Sequence, residues 1–173
     1  MKIHNFSAGP SIMPREVMEE AAAGLLNFDN TGLGIAEMSH RTPPFESVMN
    51  EATMLVRELM QISDEYGVFF TSGGASTQFY QVPMNLLHEG GTAAYIENGV
   101  WAKKAIKEAQ LFGNVNVLAS SKDQNFNYIP HCTDIPTDVD YIHITSNNTI
   151  YGTEYFNWPE TGKIPLVCDM SSD

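Results

Sequence analysis

The sequence predicts an α/β fold with a mostly parallel sheet. Two observations carry this. The hydrophobic period switches repeatedly between helical and extended spacing, and short runs of β-forming residues alternate with helix-patterned segments. In such sheets ligands gather at the carboxyl ends of the strands, so candidate chemistry is sought there.

The elements follow in order. Pro14 marks the first helix start, because proline tolerates the first turn, where its missing N–H is not needed. Val17, Met18, Ala21, Ala22, Leu25 and Leu26 then keep helical spacing, and residues 27–34 form a turn-rich connection. Thr42-Pro43-Pro44 opens a second helix with Thr42 as its expected cap, and its apolar stripe runs from Phe45 through Val48, Ala52 and Val56 to Met60. Residues 66–71 read as a short strand of β-formers, residues 72–76 as a glycine turn, and residues 77–87 as a helix. Strands are expected at 93–97 and 115–119 with a helix at 101–111 between them. Residues 120–138 are polar and irregular, mostly loop, and two further strands are expected at 141–145 and 166–169.

Composition narrows the function. A chain of 173 residues, 43% hydrophobic and 17% charged, has the material for a globular core. Its net charge of −12, from nine Lys+Arg against 21 Asp+Glu, would repel nucleic-acid phosphates, so no nucleic-acid partner is expected. An anionic small molecule would need the few cations gathered where it sits. The two cysteines, Cys132 and Cys168, form no C-x-x-C pattern, which fits a reducing cytoplasm. No signal-peptide run and no stretch of transmembrane length is present, so no membrane association is expected. Asn147-Asn148-Thr149 matches the glycosylation pattern, and without a secretory signal it reads as coincidence. The five histidines lack ligand spacing, so no metal is expected, and no hydrolase signature is present.

Several segments could carry chemistry. In Thr71-Ser72-Gly73-Gly74-Ala75-Ser76-Thr77 the glycines allow close backbone approach, and the following helix start offers unpaired N–H groups and a positive dipole end. Such a turn can hold a phosphate without a lysine, or can simply be a tight turn before a capped helix. Asp169 ends a strand. It either caps the next turn or holds a proton on a heterocyclic nitrogen. Thr149 follows another strand end, as a plain turn residue or as a donor to a phenolic oxygen. Trp101 at a helix start serves core packing or stacks on a flat ring. His40-Arg41 suits an exposed salt bridge or recognition of a carboxylate or phosphate.

Taken in order, Asn5-Phe6-Ser7-Ala8-Gly9-Pro10, Met38-Ser39-His40-Arg41, Gly73-Gly74-Ala75-Ser76-Thr77-Gln78-Phe79, Gly99-Val100-Trp101, Asn148-Thr149-Ile150-Tyr151-Gly152 and Asp169-Met170-Ser171-Ser172 closely resemble the phosphoserine aminotransferase family. The resemblance runs from Asn5 to the last residue. It implies a fold-type-I, class V enzyme that uses pyridoxal phosphate as a homodimer. Such an enzyme moves an amino group between glutamate and 3-phosphohydroxypyruvate, giving phosphoserine and 2-oxoglutarate in serine biosynthesis. Some members also accept 4-phosphohydroxythreonine, in vitamin B6 synthesis.

Carried over by position, Gly74, Ala75 and Ser76 hold the cofactor phosphate, Trp101 stacks on the ring, Thr149 bonds its phenolic oxygen and Asp169 pairs with the pyridine nitrogen. His40 and Arg41 meet the substrate's anionic end. Some bacterial members carry arginine at the Ser76 position and serine at the Ala8 position. The resemblance further implies an N-terminal segment (1–15) that packs with a small domain, an incomplete large cofactor domain (16–173), and a C-terminal small domain outside this chain. The Schiff-base lysine of the family falls beyond Asp173, and Lys2, Lys103, Lys104, Lys107, Lys122 and Lys163 match no such position. No catalytic residue is therefore expected within the chain, which alone should be inactive, aggregation-prone at an unpaired sheet edge, and completed by further polypeptide. Within the fold, another class V enzyme such as a cysteine desulfurase is the competing expectation. Outside it, the competitor is a non-catalytic phosphate-binding module, which would have no need for Trp101, Thr149 and Asp169 together.

Overall fold

The computed structural model describes residues 4–5 and 12–173. The chain forms two compact units, Met1–Phe70 and Thr71–Asp173. Of the expected N-terminal segment, residues 1–3 and 6–11 lie outside the described residues.

In the first unit α1 spans Arg15–Leu26 behind Pro14, whose extended ψ of 143° sets the helix start. Helix α2 spans Pro43–Met60 with its prolines in the first turn, and closes on Gln61 in the left-handed region. Thr42 precedes α2 as expected but makes no side-chain cap. Its hydroxyl donates backwards to the Ser39 carbonyl at 2.8 Å, which fixes the turn before the helix instead. The Arg57 guanidinium donates to the carbonyls of Ser63 and Tyr66 and so organises the chain after α2. No residue of α1 or α2 is buried, and Leu26 and Leu59 are 82% and 81% exposed. Their apolar stripes show which face wants a partner, not that one lies within the described residues.

One expected strand is absent. Residues 66–71 form no ladder, and Phe69 and Phe70 are exposed. β-propensity records how well a side chain packs on a sheet. This run pairs with no strand among the described residues.

The second unit is the α/β part. It contains α3 (Gly74–Leu86), β1 (Thr92–Glu97), α4 (Val100–Ala109), β2 (Asn114–Ser120), β3 (Tyr141–Thr145), a short hairpin of β4 (Asn147–Asn148) and β5 (Thr153–Glu154), and β6 (Leu166–Asp169). The sheet order is β2-β1-β3-β6, and every pairing in it is parallel. This meets the expectation of an α/β fold with a parallel sheet. The strands at 141–145 and 166–169 have the expected limits. The loop expected at 120–138 holds only a 3₁₀ turn at Lys122–Gln124.

Alternation divides the sheet into two packed faces. One face presents Ala93, Tyr95 and Tyr141 to Phe79 of α3 and to Ala105, Ile106 and Ala109 of α4. Fully buried Ala102, Ala105 and Ala109 let α4 settle close to the sheet, where the bulk of Tyr95 and Tyr141 fills the space. The tyrosines meet edge-on at 5.9 Å with their hydroxyls 2.8 Å apart, so both buried phenols are satisfied. Burial, with that hydrogen bond, pushes the Tyr95 phenol well above its ordinary pKa. The opposite face packs Ala94 and Ile142 against Val139 and the loop residues Ile135 and Ile164.

Candidate active site

At the start of α3 the backbone turns through Gly73 (φ +93°) and Gly74 (φ +62°), left-handed conformations that glycine adopts without strain. A Cβ on Gly73 would also collide with the Thr77 side chain, whose hydroxyl donates to the Gly73 carbonyl at 2.8 Å. No side chain caps this helix. Its first N–H groups are left without intrahelical partners at the positive end of a 13-residue dipole. The tight turn foreseen from the sequence is present, the cap is not, and an anion would complete it.

Asp169 is the last residue of β6, beside Thr145 at the end of β3. Ser146 donates both its N–H (3.0 Å) and its hydroxyl (3.2 Å) to the Asp169 carbonyl. Ser171 donates its N–H (3.1 Å) and its hydroxyl (2.5 Å) to Asp169 Oδ1. The turn-capping role is realised by one carboxylate oxygen, while Oδ2 accepts no hydrogen bond among the described residues.

A cavity of about 320 Å³ joins these two features, with Ala75 and Gln78 of α3 on one side and Asp169 and Ser171 on the other. His143 and Cys168 line it too, and burial pushes the Cys168 thiol up to about 11. Gly74, Ser76, Trp101 and Thr149 are not among its lining residues. Ser76 is exposed in the first turn of α3, and Thr149 is exposed in the turn after β4. Trp101 packs partly against the same core as Ala75, with Lys104 Nζ 4.2 Å from its ring centre.

His40 and Arg41 lie in the first unit, in the exposed turn where Arg41 N–H donates to Ser39 Oγ at 3.3 Å. No ion pair engages the Arg41 guanidinium among the described residues, so the salt-bridge alternative is not realised there.

The expected gathering of cations at a ligand site is not seen in the second unit. Lys103, Lys104 and Lys107 instead border a separate groove of about 520 Å³ along α4, and no lysine or arginine lines the Asp169 cavity. An anion there would rest on N–H groups and the helix dipole. Another cavity of about 320 Å³, beside His131, Cys132 and Trp158, has no uncapped helix start. Both cysteines are free. No cluster suited to a metal and no helix long and apolar enough to cross a membrane occurs among the described residues.

Two further features carry no local motif in the sequence. The amide of Asn148 donates to the Asn98 carbonyl (2.7 Å), and the amide of Asn98 donates to the Thr145 carbonyl (2.8 Å), all buried. His143 lies in the middle of an apolar strand and has no ligand spacing to the other histidines. Its place two residues before Thr145 puts it on the same face as the strand end, the signal that could have found it.

The family model described as aminotransferase class-V matches residues 3–173. The chain belongs to the class-V aminotransferase family. Over its full length this class-V chain is 53% identical to the phosphoserine aminotransferase of Flavobacterium johnsoniae and covers 49% of it. The solved phosphoserine aminotransferase from Bacillus circulans subsp. alkalophilus matches with a TM-score of 0.92 at 46% identity, over 98% of this chain and 47% of that one. The pyridoxal-phosphate-bound phosphoserine aminotransferase from Trichomonas vaginalis matches with a TM-score of 0.87 at 33% identity, over 96% of this chain and 47% of that one. The chain spans about half the length of the curated relatives it matches.

Proposed function

We propose that the full-length protein is a pyridoxal-phosphate-dependent phosphoserine aminotransferase. It exchanges an amino group between glutamate and 3-phosphohydroxypyruvate as a cytoplasmic homodimer, with 4-phosphohydroxythreonine as a further substrate. The observation that carries this is the cavity that runs along α3 from Ala75 in its uncapped first turn and reaches the Asp169 carboxylate, in a class-V aminotransferase chain. The two walls suit the two ends of one cofactor: unpaired N–H groups for a phosphate and a carboxylate for a basic ring nitrogen.

Bound there, pyridoxal phosphate would supply an electron sink that weakens a carbon–hydrogen bond of the amino acid. The chain's own residues hold and orient. The N–H groups of Ala75 and Ser76, entered through Gly74, and the Ser76 hydroxyl are assigned to the phosphate. Trp101 is assigned to stacking, Thr149 to the phenolic oxygen, and Asp169 to keeping a proton on the ring nitrogen. Ser171 and Ser146 fix Asp169 before any ligand arrives, so little ordering is required on binding. His40 and Arg41 are assigned to the substrate's phosphate or carboxylate, for which a guanidinium fork is suited. Residues 16–173 would belong to the large domain, with the anchoring lysine and the small domain supplied by the rest of the protein.

The assay is transamination by the full-length protein with phosphoserine and 2-oxoglutarate. Glutamate formation that depends on added pyridoxal phosphate supports the proposal. No glutamate from the cofactor-loaded protein would refute it.

A further inference from the structure

Two polar residues beside the glycine turn, Thr71 and Gln78, are unused by the proposed chemistry. Gln78, in the second turn of α3, lines the Asp169 cavity together with Ala75. Its side-chain Nε2 donates to Thr71 Oγ1 at 3.0 Å and to Gln81 Oε1 at 3.0 Å, so both amide protons are engaged. Thr71 stands just before the turn, and Gln81 lies further along α3. The bond to Thr71 therefore reaches back over Ser72, Gly73 and Gly74. It ties the chain entering the turn to the helix leaving it.

The bridged stretch is costly to order. Gly73 and Gly74 both hold left-handed φ, and glycine gives up more backbone freedom on fixing than any other residue. The Thr77 hydroxyl, donating to the Gly73 carbonyl at 2.8 Å, restrains the turn from its helical side. The Gln78 bond acts earlier and fixes where the chain enters. Gln81 holds the same amide from within α3, so the brace is anchored on regular helix. A turn ordered in advance loses less entropy when a ligand settles on it.

We infer that Gln78 is a positioning residue for the glycine turn: through Thr71 it holds the turn in the shape that presents the N–H groups of Ala75 and Ser76. This rests on the assignment of those N–H groups to the cofactor phosphate. In this role neither Gln78 nor Thr71 touches the phosphate. The effect is therefore selective. Asp169, assigned to the ring nitrogen, belongs to β6 on the other side of the cavity and is held by Ser146 and Ser171, not by the brace. Loss of the brace should be felt by a ligand that carries a phosphate and not by the same ring without one.

The test uses the full-length protein freed of cofactor, with pyridoxal phosphate and pyridoxal as the two probes. Gln78→Leu removes the amide, Thr71→Val removes the hydroxyl with little change of shape, and Thr71→Ser keeps the hydroxyl. Gln78→Leu and Thr71→Val should each weaken pyridoxal phosphate binding about two- to tenfold, the range that one net hydrogen bond spans. Pyridoxal affinity should not change, and Thr71→Ser should keep most of the wild-type affinity for pyridoxal phosphate. Combining Gln78→Leu with Thr71→Val should lose no more than either change alone. Unchanged pyridoxal phosphate affinity in the two single variants overturns the inference. So does an equal loss for both probes, which marks general packing, and so do additive losses. A measurement on the wild type avoids dependence on variant folding. A crystal structure of the cofactor-free full-length protein should keep Gln78 Nε2 within hydrogen-bond distance of Thr71 Oγ1, and a separated pair contradicts the inference. If the wild type prefers pyridoxal phosphate to pyridoxal while these results fail, only the role of Gln78 falls. If it shows no such preference, the phosphate assignment falls with it.

Discussion

The side-chain amide of Asn148 donates to the main-chain oxygen of Asn98 at 2.7 Å, across the gap between the ends of β1 and β3. Asn98 passes the connection on by donating to Thr145 O at 2.8 Å. Gly99 makes the clasp possible, because a Cβ there would lie 2.5–2.7 Å from the Asn148 side chain. Trp101 and Thr149, close by along the chain, are the residues assigned to stacking on the cofactor ring and to its phenolic oxygen. The clasp thus ties two strand-end turns to each other before any ligand is bound. Asn148→Ala should destabilise the full-length protein by about 1–3 kcal/mol, the cost of an unpaired buried group, and also weaken cofactor binding. Gly99→Ala should lower the denaturation midpoint for a steric reason. Denaturant unfolding measures both, and in a double-mutant cycle the two losses should be strongly non-additive.

Asp169→Ala in the full-length protein should cripple turnover and loosen pyridoxal phosphate, since it removes the partner of the ring nitrogen. Ser171→Ala removes one donor to Oδ1 and leaves the N–H bond, so its effect should be smaller. Equilibrium dialysis and steady-state rates separate the two. Near-normal turnover in the alanine variant at 169 would remove that residue from the mechanism.

Gly73→Ala forces a side chain into a backbone conformation with φ +93° and against Thr77. The expected cost is on the order of 1–3 kcal/mol for the strained residue. Cofactor affinity should drop with it, because the same turn presents the N–H groups of α3. Thermal melts with and without pyridoxal phosphate check this: the ligand-induced rise in Tm should shrink relative to wild type.

Arg41→Ala should weaken the use of phosphoserine much more than the binding of cofactor. The measurement is kcat/KM for phosphoserine beside the Kd for pyridoxal phosphate. Equal loss of both would contradict a substrate role for the guanidinium.

His143 also predicts a pH dependence. Its folded-state value of about 4 lies below the ordinary 6.5, so between those values the unfolded chain binds a proton that the native chain does not. Stability from this group is complete above about pH 6.5 and is lost as pH falls toward 4, by roughly 3 kcal/mol at most. Tyr95 faces the ring from β1, and Cys168 and Asp169 face the same cavity from β6. Acidification from pH 7 to pH 4 should therefore lower the denaturant midpoint of wild type more than that of His143→Phe.

The sheet was legible in the sequence because residues 141–145 and 166–169 are short apolar runs bounded by polar and turn residues. Asp169 is legible as a strand end for the same local reason, and the glycine turn is legible from its paired glycines before a helical pattern. Residues 66–71 have the composition of a strand and form none among the described residues, because pairing depends on a neighbour that composition does not specify. The two-residue strands β4 and β5 are too short to show a period. His143 and the Asn98–Asn148 clasp depend on which strands lie side by side and in what register, and one chain read locally carries no such information. Unpaired Nδ1 and neighbouring Asp169 give His143 its significance only once β3 and β6 are adjacent.

The most direct test of the central claim is the visible absorbance of the full-length protein reconstituted with pyridoxal phosphate and then titrated with phosphoserine or alanine. The account predicts a bound-cofactor band that shifts with phosphoserine and with glutamate but not with alanine. Absence of a bound band, or a shift of equal size with alanine, would contradict it.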